Sequence, residues 1–293
     1  MRNVTTCFTL IGLLTCFSEV HAQDQEYDYA PSFRYCPDRD FDIAWENDLV
    51  AFRVYGKQPS ENAGLSGVDA WHKRVSYPIV DKWYRGYLEG ISYHEDHGEG
   101  CDRYHVGKTR GVGGVGLWRD DKIVRSGLYE SWEVQSITPS AISFQLTYRW
   151  NLEQEKITET RTIKLENGSQ LYEATSQFSK NGKPIKGLEI AIGLSTQNGA
   201  AEVSMNESEG WMSAWHALGG NQGRIGVGAI ADTNYLIRML EQKSDKKDES
   251  HVIAIVKTDA KGNISWKAGF AWEKAGKITT RPDWDAYLSS WDN

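Results

Sequence analysis

Between Tyr93 and Gly116 the sequence reads YHEDHGEGCDRYHVGKTRGVGGVG. His94, Asp96, His97, Glu99, Asp102, Tyr104, His105, Lys108 and Arg110 fall in this one stretch, which holds three of the six histidines beyond residue 22. Imidazoles exchange protons near neutral pH, a phenol can donate one, and cations neutralise an anionic ligand. Seven glycines from Gly98 to Gly116 argue against a regular buried strand or helix through most of it. These residue types predict acid–base chemistry on an anionic ligand, carried by a glycine-shaped loop.

His94-x-Asp96-His97 also has the ligand types of a Zn²⁺ site. The binuclear zinc hydrolase signature that ends in this tetrad needs a further histidine two residues before His94, where this chain has Ser92. The expectation is a site without metal or other cofactor, with a metal at His94, Asp96 and His97 as the alternative. Lys82-Trp83-Tyr84-Arg85 and Lys108-Thr109-Arg110 set cations beside aromatics, as substrate-binding groups or as solvated charges. A fixed guanidinium pairs bidentately with a carboxylate such as a uronic acid presents. Arg110, with Gly111 and Gly113 beside it, is the best placed for close ligand approach. Glu46 reads equally as a buried functional carboxylate or as an edge charge. Gly111–Gly116 lacks the Gly-Lys-Ser/Thr ending of a phosphate loop and the strand–helix frame of a dinucleotide site, and no G-x-S-x-G occurs.

The elements that must hold these groups are mostly strands. Ile142, Phe144, Leu146, Tyr148 and Trp150 alternate with polar residues, the pattern of a half-buried strand. Asn167-Gly168, Asn181-Gly182 and Lys261-Gly262-Asn263 are hairpin signals between further strand-like runs. Asp42–Tyr55 reads as one strand. Helix is expected chiefly at Pro282–Trp291, where Trp284, Tyr287, Leu288 and Trp291 follow helical spacing. Ser244–Ser250 (SDKKDES) reads as a solvated loop without chemistry. Gly56–Trp118 reads as a long, ordered but irregular segment, and therefore as the site. The predicted fold class is all-β, a large antiparallel β-sandwich with few short helices.

Residues 1–22 have the form of a secretory signal peptide: Arg2, the apolar run Phe8–Phe17, then Val20-His21-Ala22 before a cleavage point. The run is too short to span a membrane, and Thr15 makes lipidation of Cys16 a minor reading. Residues 23–293 are expected to be one exported, periplasmic β-sandwich domain. A formal net charge of −7 without a basic run makes nucleic acid a poor partner. Cys36 and Cys101, the cysteines beyond the leader, are either a disulfide or two buried thiols. Twelve tryptophans and fourteen tyrosines suit stacking on sugar rings as well as filling a core.

Asp42–Gly56, Asp69–Val75, Asp81–Tyr84, Tyr93–Gly100, Arg110–Gly114 and the tail segments Gly269–Trp272 and Trp284–Leu288 resemble an uncharacterised-domain family of bacterial polysaccharide-utilisation loci. That family includes ulvan oligosaccharide dehydratases. The YHxDHGEG block is the most specific part; Lys108-Thr109-Arg110-Gly111 stands where Ser-Arg-Gly is expected, and Cys101 at an often apolar position. The resemblance implies a galactose-mutarotase-like sandwich and a dehydratase acting on the non-reducing-end uronic acid of an anionic oligosaccharide. It implies His97 or His94 as base, Tyr104 or His105 as acid, Arg110 as carboxylate clamp and Asp96 as orienting group. A polysaccharide lyase, a glycoside hydrolase using two of Glu46, Asp96, Glu99 and Asp102, and a non-catalytic sugar-binding module are the competing readings.

Overall fold

In the computed structural model the described residues are Met1, 28–56, 66–153 and 155–291; the expected leader, its cleavage point and Cys16 lie outside them. In chain order the described elements are β1 (Ser32–Cys36), β2 (Asp42–Glu46), β3 (Ala51–Val54), β4 (Val68–Lys73), α1 (Val80–Leu88), β5 (Gly100–Cys101), β6 (Val112–Arg119), β7 (Lys122–Val124), β8 (Ser131–Ile137), β9 (Ala141–Asn151), β10 (Lys156–Glu166), β11 (Leu171–Lys180) and β12 (Lys183–Pro184). There follow β13 (Glu189–Ser195), β14 (Glu202–Asn206), β15 (Trp211–Ala217), β16 (Arg224–Ala231), β17 (Leu236–Gln242), β18 (His251–Lys257), β19 (Asn263–Trp272) and α2 (Arg281–Ser289).

The strands form three antiparallel sheets. One runs β1-β2-β3-β4-β5, a second β17-β18-β13-β6-β7, and the largest β14-β15-β16-β19-β11-β10-β9-β8 with β12 beside β11. Side-chain alternation decides which face each strand buries. On β9 the five alternating apolar residues all point inward. Trp45 and Phe52 of the first sheet meet Phe144, Tyr172 and Phe270 of the largest one, with ring centroids 5.1–6.0 Å apart. Val112, Val115, Ile190 and Ile192 of the second sheet belong to the same buried cluster. The first and second sheets touch at a bridge between Val68 and Gly111, so side by side they face the large sheet. The all-β sandwich read from the sequence is the observed fold.

β10 places two charges on that inner face. Arg161 and Glu159 are buried, joined by bonds of 2.8 and 3.1 Å, and Ser176 Oγ donates to Glu159 at 2.5 Å. The Arg161 guanidinium lies over the Tyr148 ring at 4.5 Å. Pairing and a π face offset the loss of water around both ions.

The described part of Gly56–Trp118, which leaves out residues 57–65, is more regular than its composition suggests. It contains β4, β5, β6 and α1, and β6 is a buried strand despite its three glycines. The glycines serve close approach instead. A Cβ at Gly100 would lie 1.9 Å from the His72 carbonyl oxygen, and one at Gly111 1.9 Å from that of Val68. Both ends of the reactive loop are thereby pressed against β4. Asp42–Tyr55 is likewise two strands, because the Asn47 side chain accepts the Leu49 and Val50 N–H groups at 2.8 Å and turns the chain.

Helix α1 buries Val80, Trp83 and Tyr84 at i, i+3, i+4 spacing. Trp71 receives Trp83 and Tyr84 with centroids 5.5 and 5.0 Å away. Burial of such rings contributes about 1.5–3 kcal/mol each. No side chain at Ile79 caps the helix; the cap comes from β2. The Glu46 carboxylate accepts the Ile79 and Val80 N–H groups at 2.9–3.0 Å and the Lys73 ammonium at 2.9 Å. Glu46 is thus the helix cap and a buried ion-pair partner, not a cleft residue. At the other end of the chain, Thr280 accepts the Asp283 N–H, Pro282 occupies the first turn and α2 forms where the spacing predicts it. Cys36 and Cys101 are free, buried thiols, and burial pushes each up to about 11, out of the reactive range.

Candidate active site

The reactive loop is divided between two clefts. The central cleft, about 450 Å³, is lined by Arg53, Tyr55, His94, Asp102, Arg103, Tyr104, His105, Lys108 and Asp248 among others. The helix-side cleft, about 540 Å³, takes Lys82, Trp83, Arg85, Tyr93, His97 and Glu99. The spacing in the sequence suggested one site; the fold turns His94 and His97 into different ones.

Beneath the central cleft lies a buried ionic cluster. Arg53 on β3 and Asp69 on β4 are directly paired across the two strands. The Arg53 guanidinium donates to Asp69 and, at 3.0 Å, to Asp102; Asp42 is 3.9 Å away. Three carboxyls thus share one guanidinium in a region closed to water. They cannot all ionise cheaply, since each charge lacks full solvation and repels the others. Burial, then the charge of Asp102, push Asp69 up to about 7 against the pull of Arg53. Burial raises Asp102 and Asp42 as well. Burial alone would lower Arg53, but Asp69 and Asp102 outweigh it and hold it firmly charged. The cluster retains a proton near neutral pH.

His94 sits on the rim of this cluster. Its Nδ1 lies 2.9 Å from the Asp102 carbonyl oxygen and 3.6 Å from the Asp102 carboxylate. A carbonyl can only accept, so Nδ1 carries the hydrogen and Nε2 is the basic atom of the neutral ring. Tyr104 is almost buried; its hydroxyl has no well-formed hydrogen bond among the described residues. Burial raises Tyr104 far above an ordinary phenol, against the opposing pull of Ser195 and Gln197 beside its hydroxyl, so it carries its proton at neutral pH. His105 Nε2 is 3.0 Å from Asp248 Oδ2. Asp248 belongs to the SDKKDES loop, which is therefore a wall of the site and not merely solvated; its N–H is fixed by Asn198 at 2.6 Å.

Other expected groups have different work. Asp96 is ion-paired with Arg74 and accepts the Gly98 and Gly100 N–H groups at 2.9 and 3.2 Å. It braces the loop; the carboxylate beside His94 is Asp102 and the one beside His105 is Asp248. His97 Nε2 is held 3.0 Å from the Ser92 carbonyl oxygen. Arg110 is fully buried, donating to Ser66 Oγ at 2.8 Å and Val115 O at 3.4 Å, and burial lowers it to about 9. It does not line the central cleft, where the cations are Arg53, already engaged by carboxylates, and Arg103 and Lys108. Tyr84 is packed under Trp71 and near Arg34, away from both clefts. No three His, Cys, Asp or Glu side chains among the described residues converge as a metal-ligand set. Sequence reasoning missed Arg53, Asp69 and Asp248; for Arg53 the signal was a single charge inside the otherwise apolar strand β3, and for Asp69 an acid between the apolar Val68 and Ala70.

The helix-side cleft is electrostatically quiet. Lys82 Nζ and Tyr77 Oη each donate to Glu99 Oε1 at 2.6 Å, and Trp83 Nε1 to Oε2 at 3.2 Å. Burial pushes Glu99 up, but these three bonds outweigh it and hold the carboxyl below its ordinary value. It stays a satisfied anion.

Residues 16–293 match the family described as a domain of unknown function (DUF4861), and the chain belongs to that family. It is 31% identical over 266 residues to uncharacterized protein P7 of Formosa agariphila, covering 87% of this chain and 65% of that protein's length. Among solved structures it is similar, at 9% identity and a TM-score of 0.41, to the galactosidase domain of an alpha-galactosidase–sucrose kinase, over 83% of this chain and 42% of that one. A Geobacillus stearothermophilus alpha-galactosidase gives 7% identity and 0.39, over 85% and 42%. Likenesses this loose carry no inference about activity. No helix among the described residues is long and apolar enough to cross a membrane.

Proposed function

We propose that this protein is a carbohydrate-active lyase: a dehydratase that removes water across C-4 and C-5 of a non-reducing-end uronic acid on an anionic oligosaccharide, of the ulvan type that the family resemblance implies. The observation that supports it is His94 held by Asp102 above a buried cluster that keeps a proton near neutral pH, with the neutral phenol of Tyr104 in the same cleft. Those are a base and an acid with separated protonation states.

The difficulty of the reaction is a weakly acidic C-5 hydrogen and a poor leaving group. Lys108 and Arg103 meet the uronate carboxylate, so charge that builds on it in the transition state is stabilised. His94 Nε2 takes the C-5 proton as the C-4–oxygen bond breaks and the C-4=C-5 double bond forms. Tyr104 protonates the departing hydroxyl, which leaves as water. Return of the proton from His94 to Tyr104 through solvent resets the site. The expected leader would place this step in the periplasm.

Cleavage of a glycosidic bond at C-4 by the same elimination is the second reading, since only the leaving group differs. A glycoside hydrolase is less favoured: Glu46 caps α1, Asp96 pairs with Arg74 and Glu99 lines the other cleft, while the two carboxylates of this one are engaged, Asp102 by Arg53 and Asp248 by His105. Pure protein incubated with saturated uronyl oligosaccharides should generate ultraviolet absorbance from an unsaturated uronyl product, with mass spectra showing loss of water from an intact oligomer. Shorter fragments would select the lyase reading, and no new absorbance would refute elimination altogether.

A further inference from the structure

A third cleft, about 360 Å³, opens beside the central one and shares Lys108 with it. Its lining concentrates cations on a chain whose formal net charge is −7. Lys108, Lys122, Arg125, Lys243 and Lys246 surround it and Arg110 forms part of its floor, against a single lining carboxylate, Glu249. Lys243 reaches Glu241 at 3.5 Å, a weak exposed pair, and Arg125 is fixed by donating to the Lys108 carbonyl at 3.1 Å. Five side chains carrying like charge around one concavity repel one another, and the fold tolerates this at a solvent-facing cleft where an anion can relieve it. The buried floor feels the same field: burial, then Arg125 and Arg161, hold Arg110 below its ordinary value.

We infer that this cleft is an oxyanion subsite that binds a sulfate ester on the sugar next to the one held in the central cleft. Cations arriving from β7, from the loop before β6 and from the SDKKDES loop approach from several directions. That arrangement matches three oxygens of a tetrahedral anion better than the two coplanar oxygens of a carboxylate. The shared Lys108 sets the spacing, one sugar from the reacting ring. Calling the ligand part of the substrate rests on the proposed function; the anion site itself does not.

Calorimetric titration of the whole protein with sodium sulfate at low ionic strength should show one saturable site. The doubly substituted protein K122Q/R125Q should melt like wild type and bind sulfate at least about tenfold more weakly. Acetate should bind wild type at least about tenfold more weakly than sulfate, and phosphate no tighter than sulfate. With oligosaccharides, the double substitution should weaken a sulfated uronyl oligomer about tenfold and leave its desulfated counterpart unchanged. Absent sulfate binding, equal binding by K122Q/R125Q, equal binding of acetate, tighter phosphate or equal loss on both oligomers would each overturn the assignment. None of these readings requires turnover, so the subsite and the elimination chemistry can fail separately.

Discussion

The central and helix-side clefts are built from the same loop and the same residue types, yet only one lies over buried charges that are incompletely compensated. In the helix-side cleft Glu99 is met by three donors and stays an ordinary, fully satisfied anion. In the central cleft three carboxyls compete for Arg53, Asp69 is pushed up to about 7, and Tyr104 Oη has no well-formed bond among the described residues. Under the proposed function, what separates the two clefts is incomplete compensation of buried charge and not the presence of histidine and carboxylate. His97 and His94 are three residues apart and fall on opposite sides of that distinction.

The sharpest break of the comparison is Tyr104→Phe. Removing the acid should lower kcat by about 10²-fold or more with oligosaccharide binding nearly intact. A wild-type kcat would remove Tyr104 from the mechanism. Next is Asp102→Asn, which leaves Arg53 with fewer counter-charges and His94 without its carboxylate. It should cost kcat about tenfold to a hundredfold and move the pH–rate profile, whereas a purely structural loss would lower activity without moving that profile.

Glu46→Ala should act on stability. A buried carboxylate that caps α1 and pairs with Lys73 is worth about 3–5 kcal/mol when its partner is stranded, read as a lower denaturant midpoint. Because α1 walls only the helix-side cleft, Glu46→Gln protein that folds should keep its turnover; loss of kcat in folded protein would return Glu46 to the site.

A smaller effect concerns pH. Burial lowers His72, His216 and His251 to about 4, 4 and 3. Unfolded chains protonate these rings below about 6.5 while the folded protein does not, so each makes stability rise between about pH 4 and 6.5. Asp69 acts oppositely: the folded protein keeps its proton up to about 7, the unfolded chain loses it near 3.8, and stability falls with rising pH between them. Denaturation from pH 4.5 to 7.5 should therefore show His216→Gln with a shallower rise than wild type and Asp69→Asn with a steeper one, each by up to about 1.4 kcal/mol per pH unit. Parallel curves would show that these groups titrate normally. The smallest effect is expected for Glu99→Gln, with turnover within about twofold and a stability loss of about 1–3 kcal/mol.

How far the sequence could be read depended on whether the deciding contact was local. β9 declared itself through alternation, and α2 through Thr280, Pro282 and helical spacing, because those signals lie within the element. Helix α1 was missed because its cap is Glu46, more than thirty residues earlier. The Tyr93–Arg110 loop stands out in the sequence for its density of ionisable groups, but its partition into two clefts depends on Gly100 and Gly111 pressing against β4. Arg110 reads from its flanking glycines as a ligand clamp, but its side chain is fully buried against Gly193 of β13, where a Cβ would lie 2.8 Å from Arg110 Cγ. The Arg53–Asp69 pair depends on the register of β3 with β4, and no spacing within either strand reveals a cross-strand partner.

The central claim is that the proton-transfer site is the cleft of His94 and not that of His97. It is tested most directly by following ultraviolet absorbance from a saturated uronyl oligosaccharide with His94→Ala and His97→Ala at matched folded concentration. A loss of about 10²-fold or more in kcat is expected for His94→Ala and a change within about threefold for His97→Ala. Full activity in His94→Ala, or an equal collapse in His97→Ala, would contradict it.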